Sequence, residues 1–313
     1  MTPAELRDWL GTGTAVLDGG LATELEARGH ALVDALWSAR ILTDDPDAIG
    51  AVHSAYFAAG AEVAITASYQ ASFDGFQRAG LSRADTADAL ARSVAIARAA
   101  ADAAAWRSRR PLVAASIGPY GAALANGAEF TGAYDLDEDA LVRWHAERLA
   151  VLADAGADLL ACETIPSAPE ARALARLLTR RPSTAAWIAF SCRDALHLCD
   201  GTPIARVAAE LADGPFVALG VNCTAPTHVA GLLRHARTAA PVPLVAYPNS
   251  GETWDAARRA WTGPGDPADF ARSALAWRAS GARLIGGCCR TTPAHIRQLH
   301  DALAADPLLH PSG

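Results

Sequence analysis

Lysine is missing from this chain, and all 27 of its basic residues are arginine. Without a lysine amine there is no Schiff base, no phosphate-loop lysine and no kinase-type lysine, so those mechanisms are excluded. Uncharged apolar runs of about 18 residues are also absent, so no membrane span is expected. The opening stretch, MTPAELRDWL, carries acidic residues and no signal-peptide core, so no export is expected and the chain reads as cytoplasmic. Basic excess is lacking too: a net charge of -7 gives no surface for nucleic acid. Neither H-E-x-x-H nor a C-x-x-C pair occurs, which removes the zincin and zinc-finger patterns.

What is present suits a large folded core. Hydrophobic residues make up 51% of the 313 and charged residues only 19%, with a mean hydropathy of +0.12. That is too apolar for a disordered chain. Linkers, low-complexity tracts and charge runs are missing, so residues 1–313 are expected to form one domain. Six cysteines in such a chain are better used as thiols for metal binding or catalysis than as disulfides.

A weak internal repeat organises the pattern. Three helical stretches end in a small residue followed by Gly-Ala and a β-rich run, at Gly60, Gly156 and Gly281. Between Asp137 and Gly156 the spacing predicts a helix capped by Asp137. Its apolar stripe runs through Val142, Ala146, Leu149 and Ala153, widened by Trp144. Eight short apolar runs read as strands buried on both faces: 14–18, 62–66, 112–117, 158–162, 186–191, 217–222, 243–247 and 283–287. Eight β/α alternations predict a single (β/α)₈ TIM barrel. A doubly wound sheet lacks support, because Gly11-Thr12-Gly13 precedes the first strand where a dinucleotide fingerprint would follow it. Two long connections, 119–136 and 248–267, follow strands and would rise on the C-terminal face as lids or binding loops.

On that fold the polar residues at the strand ends converge on one mouth. They include Asp18-Gly19-Gly20, Thr66-Ala67-Ser68, Cys162-Glu163-Thr164, Asn222-Cys223, Tyr247-Pro248-Asn249 and Cys288-Cys289. Vicinal cysteines do not easily bond to one another. The glycine pair before them would let the backbone turn both sulfurs to one point, where Cys223 could join them. Three thiolates without a fourth protein ligand make an open zinc site. Cys162, Cys192 and Cys199 read as small buried hydrophobes. His53, His145 and His295 fall in helical stretches and read as surface or packing residues. Trp37, Tyr69, Phe130, Tyr134 and Trp254 are either core or faces on which a cationic ligand could rest.

The segments LDGGLATELEARG, ITASYQASFDGF, SIGPYGAALANGAEFTGAY, CETIPS, GVNCTAP, YPNSGETWD and GGCCRTTPAHI resemble the zinc-dependent homocysteine S-methyltransferases, most of all the branch that uses S-methylmethionine. The resemblance runs from about Asp18 to Ile296. It implies a (β/α)₈ barrel that binds Zn²⁺ through Cys223, Cys288 and Cys289. It also implies methyl transfer from a sulfonium donor to the homocysteine thiolate, giving methionine. Asp18 and Glu163 match the positions that hold the substrate ammonium and are taken as the acids of the catalytic site. Gly19, Thr66 and Ser68 would offer backbone or hydroxyl contacts to the substrate carboxylate, and Asn249 would reach the metal or the amino acid.

Homocysteine and a sulfonium are then the expected partners, with oligomeric state left open. Neither long connection carries a phosphate-type glycine motif or an adenine-stacking pair. S-methylmethionine is therefore expected over S-adenosylmethionine, with Trp37, Phe130 and Trp254 as candidate walls. Gln70 stands where a betaine user would carry an aromatic residue. Selenium analogues of the acceptor are an alternative. A zinc barrel hydrolase is the rival enzyme class, and it would need strand-end histidines that are missing here.

Overall fold

The protein is described by a computed structural model over residues 1–30, 38–105, 109–255, 260–263 and 265–306. Each of the eight apolar runs overlaps a parallel strand, although the fourth strand continues three residues past its run and the eighth begins one residue before its run. In chain order these are β1 (Ala15–Val16), β2 (Val63–Ile65), β3 (Leu112–Ile117), β4 (Leu159–Ile165), β5 (Ala186–Phe190), β6 (Ala218–Asn222) and β7 (Leu244–Tyr247). The antiparallel pair β8 (Thr253–Asp255) and β9 (Ala260–Thr262) lies outside the sheet, and β10 (Ala282–Ile285) completes it. The sheet order is β1-β10-β7-β6-β5-β4-β3-β2. A parallel bridge from Leu17 to Val63 and a bond from Asp18 N to Val63 O at 3.0 Å bring its two edges together. The architecture is a (β/α)₈ TIM barrel.

Strand alternation divides the core in two. Leu112 and Ala114 of β3, and Trp187 and Ala189 of β5, join Leu17, Val63, Tyr247 and Leu284 inside the barrel. Val113, Ala115, Ile188 and Phe190 instead pack outward against the helices, as the two-residue period of a strand requires. The helix Pro3–Gly11 sends Leu6 and Leu10 into the inner cluster and so plugs the N-terminal end. Trp187 fills the centre, donating its indole N–H to the Tyr247 hydroxyl at 3.1 Å. The opposite, C-terminal end is left for the site.

Gly60, Gly156 and Gly281 have φ of 108°, 89° and 109° and follow helices Pro46–Ala59, Glu138–Asp154 and Pro267–Ala279. Only a residue without Cβ takes that left-handed turn cheaply, which accounts for the repeat. In the helix Glu138–Asp154 the Asp137 carboxylate caps Ala140 N at 2.7 Å. Val142 and Leu149 are buried as expected, and Trp144 reaches Asp74 with its ring N–H at 3.0 Å. His53, His145 and His295 are all buried packing residues. The connection 119–136 carries its own helix, Tyr120–Leu124, and a 3₁₀ turn, Ala128–Phe130, and 248–267 carries the β8–β9 hairpin.

Candidate metal and substrate site

The strand ends enclose a cavity of about 330 Å³. Cys223 directly follows β6, and Cys288-Cys289 follow β10. Three backbone bonds tie these turns to the end of β7: Cys223 N to Tyr247 O at 3.3 Å, Cys288 N to Pro248 O at 2.8 Å, and Ser250 N to Cys289 O at 3.0 Å. Cys223 and Arg290 take left-handed φ of 47° and 67°, a strain of about 1–3 kcal/mol each that the surrounding bonds must hold. Neither Gly286 nor Gly287 does so. Their lack of a side chain is required by close approach, since a Cβ would lie 2.5 Å from Leu17 Cβ or 2.3 Å from Thr291 Oγ1.

The three sulfurs lie within 4.8 Å of one another, with Cys223 and Cys289 at 3.6 Å. A tetrahedral ion bonded to sulfur at about 2.3 Å would space its ligands by about 3.8 Å. The three thiols therefore fit a soft metal ion with one position to spare. Hydrogen bonds from Cys223 and Cys288 hold the Cys289 thiol well below its usual range. Hydrogen bonds with Cys288 and Cys289, together with burial, push Cys223 well above it.

Two carboxylates share the cavity. Asp18, 2% exposed, follows β1 and accepts from Ile65 N at 2.8 Å. Glu163, 7% exposed, accepts from the Ser116 hydroxyl and sits beside the Tyr247 hydroxyl. Burial pushes the Glu163 carboxyl up to about 7. It lifts Asp18 well above the usual carboxylate range, helped by the charge of Glu163. Among the described residues neither carboxylate forms an ion pair. Asn222 braces the turn beside Glu163, accepting from Thr164 N at 2.7 Å and donating to Thr164 Oγ1 at 2.8 Å. Such a pair of dry carboxylates suits a ligand that brings its own cation.

Gly19 and Thr66 also line the cavity, whereas Ser68 and Asn249 are outside its lining. The Ser68 hydroxyl lies behind Thr66, donating to Ser116 O and bonded to Thr66 Oγ1, both at 2.8 Å. Asn249 ties its backbone to Thr224 O at 3.1 Å, and its Oδ1 is buried without a partner among the described residues. Tyr69 and Phe130 reach the cavity wall. Tyr134 turns away to Glu170. Trp37 lies outside the described residues, as does the Trp254 side chain. Cys162, Cys192 and Cys199 take no part in the lining. Sequence reasoning missed Glu26, Glu129 and Arg290 as lining residues. Glu129 sits in the connection already marked as a lid, and Arg290 follows the vicinal cysteines.

The sequence profile of the homocysteine S-methyltransferases matches residues 15–303. The chain is 48% identical over 292 residues to homocysteine S-methyltransferase YbgG of Bacillus subtilis, covering 91% of this chain and 92% of that one. It is 49% identical over 291 residues to homocysteine S-methyltransferase of Escherichia coli, covering 91% and 93%. Its fold superposes on the metallated crystal form of the homocysteine methyltransferase MmuM of Escherichia coli with a TM-score of 0.82. That match has 45% identity and covers 92% of this chain and 96% of that one.

Proposed function

The chain belongs to the homocysteine S-methyltransferase family and is an enzyme of that activity; from that premise we propose that it is zinc-dependent and takes its methyl group from a sulfonium, S-methylmethionine in preference to S-adenosylmethionine. The observation that carries this reading is the set of three sulfurs within 4.8 Å beside two buried carboxylates that form no ion pair among the described residues.

In this reading Cys223, Cys288 and Cys289 hold Zn²⁺. When bound, the ion supplies a Lewis acid that keeps the homocysteine sulfur ionised at neutral pH, where a free thiol is mostly protonated. Asp18 and Glu163 take the homocysteine ammonium between them. Gly19 N–H meets the carboxylate of the same amino acid, and the Thr66 hydroxyl joins it by turning its proton away from Ser68 Oγ. Held at that end, the side chain of homocysteine points toward the cysteine cluster, which supplies the alignment an in-line transfer needs. The apolar walls, Leu21, Ala22, Ile65 and Ala67 among them, keep water from the sulfurs. The S–CH₃ bond of the sulfonium breaks as the new S–C bond forms, and its electron pair leaves on a neutral thioether. No protein base is required at that step.

A cavity of about 330 Å³ stands at the low end of the range for small-molecule sites, about 300–1,000 Å³. That favours a donor no larger than a second amino acid. The test is methionine formation from homocysteine with each donor in turn, before and after chelation and zinc return. S-methylmethionine should give the higher kcat/KM, and chelation should abolish turnover reversibly. Absence of product from both sulfoniums would overturn the reading.

A further inference from the structure

Four acidic residues, Asp18, Glu26, Glu129 and Glu163, line the cavity against one basic residue, Arg290, among its described lining residues. Arg290 in turn meets Glu252 at 3.2 Å. Two of the acids serve the homocysteine ammonium in the reading above, on which this inference rests. Glu129 belongs to a different element, the 3₁₀ turn Ala128–Phe130 in the connection after β3. Its Oε2 is buried and meets no donor among the described residues.

The backbone that carries this carboxylate is pinned on two sides. Ser191 Oγ donates to Glu129 O at 3.0 Å. Gly121 lies so close beneath that a Cβ there would come within 2.5 Å of Glu129 N. A desolvated carboxylate oxygen without a partner is costly unless the ligand supplies a cation. Burial acts against its ionised form and a bond from its own backbone N–H acts for it, with burial prevailing.

The proposed donor carries two positive charges, and they behave differently. The sulfonium charge disappears as the methyl leaves, so a carboxylate beside it would bind the ground state better than the transition state. The α-ammonium charge persists, so a carboxylate there binds both states equally and does not slow transfer. We propose that Glu129 receives the α-ammonium of the methyl donor, and so selects sulfoniums with an amino-acid end over sulfoniums without one.

Steady-state kinetics on the zinc-loaded full chain test this. The probes are S-methylmethionine and a dimethylsulfonium carboxylate lacking the amino group, the latter as substrate or as competitive inhibitor. Glu129→Gln should raise the KM for S-methylmethionine by about 10- to 100-fold. It should leave kcat, the KM for homocysteine, the metal content and the constant for the amine-free sulfonium within about twofold. Glu129→Asp should recover part of the loss. Equal losses for both sulfoniums would assign the carboxylate to the sulfonium and overturn the proposal. So would a raised KM for homocysteine, or no change at all. Failure of the unaltered enzyme with every sulfonium would instead sink the proposed function itself, and this inference with it.

Discussion

Glu163 is a side chain whose burial and use pull against each other. Its carboxyl stands at about 7 in the fold against 4.5 for a free group, chiefly through burial. A raised acid favours the folded state while protonated. Its contribution is therefore complete below about 4.5 and is lost as pH rises through about 7. Metal-free Glu163→Gln should accordingly melt higher than the unaltered protein at pH above about 8, with the gap closing toward about pH 4.5. Thermal melts across that range check it, and a constant gap would contradict it. The same variant, and Asp18→Asn, should weaken homocysteine binding by about 10- to 150-fold, the equivalent of losing one charge-assisted contact of about 1.5–3 kcal/mol. Calorimetric titration with homocysteine reads that, and retained metal shows that the carboxylates are substrate contacts and not ligands. At this scale the residue types were legible before the fold: acids, thiols and small hydroxyls at strand ends. Their directions were not. Ser68 and Thr66 are two residues apart on one strand end, yet Ser68 is spent on Ser116 O while Thr66 reaches the cavity.

Between β6 and β7 the barrel leaves no room for a side chain at Gly220. A Cβ there would lie 1.8 Å from Val245 O, the carbonyl of its register partner. Gly220→Ala should therefore cost on the order of 3 kcal/mol, read as a lower urea midpoint. Because Cys223 sits three residues on, the variant should also lower metal affinity. The connection 119–136 is held in a different way. Glu170 accepts from Tyr120 N at 2.6 Å and Tyr134 Oη, and bonds His145 Nε2 at 2.8 Å, all around a carboxylate with no exposure. Glu170→Ala should cost about 1–3 kcal/mol for each donor left stranded, and the resulting looseness should raise the donor KM more than the homocysteine KM. Hydrophobic period and glycine punctuation made the eight strands and the capped helix 138–154 readable. The internal order of 119–136 was not readable, because it comes from Glu170, which lies 34 residues beyond the end of that connection. Glu129 was missed because the side chain that seats its backbone, Ser191, lies 62 residues further on.

Over the whole molecule the barrel gathers on one face what the sequence scatters. Cys223 and Cys289 are 66 positions apart yet meet at 3.6 Å, because β6, β7 and β10 are neighbours in the sheet. Long-range ligand sets of this kind follow from spacing only once the strand order is known, so the strand-end reading offered the trio as a candidate and the resemblance of GVNC and GGCC to a known family implied it as a ligand set. The N-terminal plug of Leu6 and Leu10 and the hydrogen-bonded Trp187–Tyr247 pair below the cavity left no such trace, since each is interior packing of ordinary composition. Cys223→Ser, Cys288→Ser and Cys289→Ser should each lose metal and activity together, because one hydroxyl cannot replace a soft thiolate. The central claim is that three thiolates hold a zinc ion whose open position takes the homocysteine sulfur. Zinc-edge X-ray absorption on protein purified without chelator tests it most directly. About one zinc per chain with three sulfur neighbours is expected, rising to four when homocysteine is added. A metal-free protein, or a zinc shell of nitrogen and oxygen that homocysteine leaves unchanged, would contradict it.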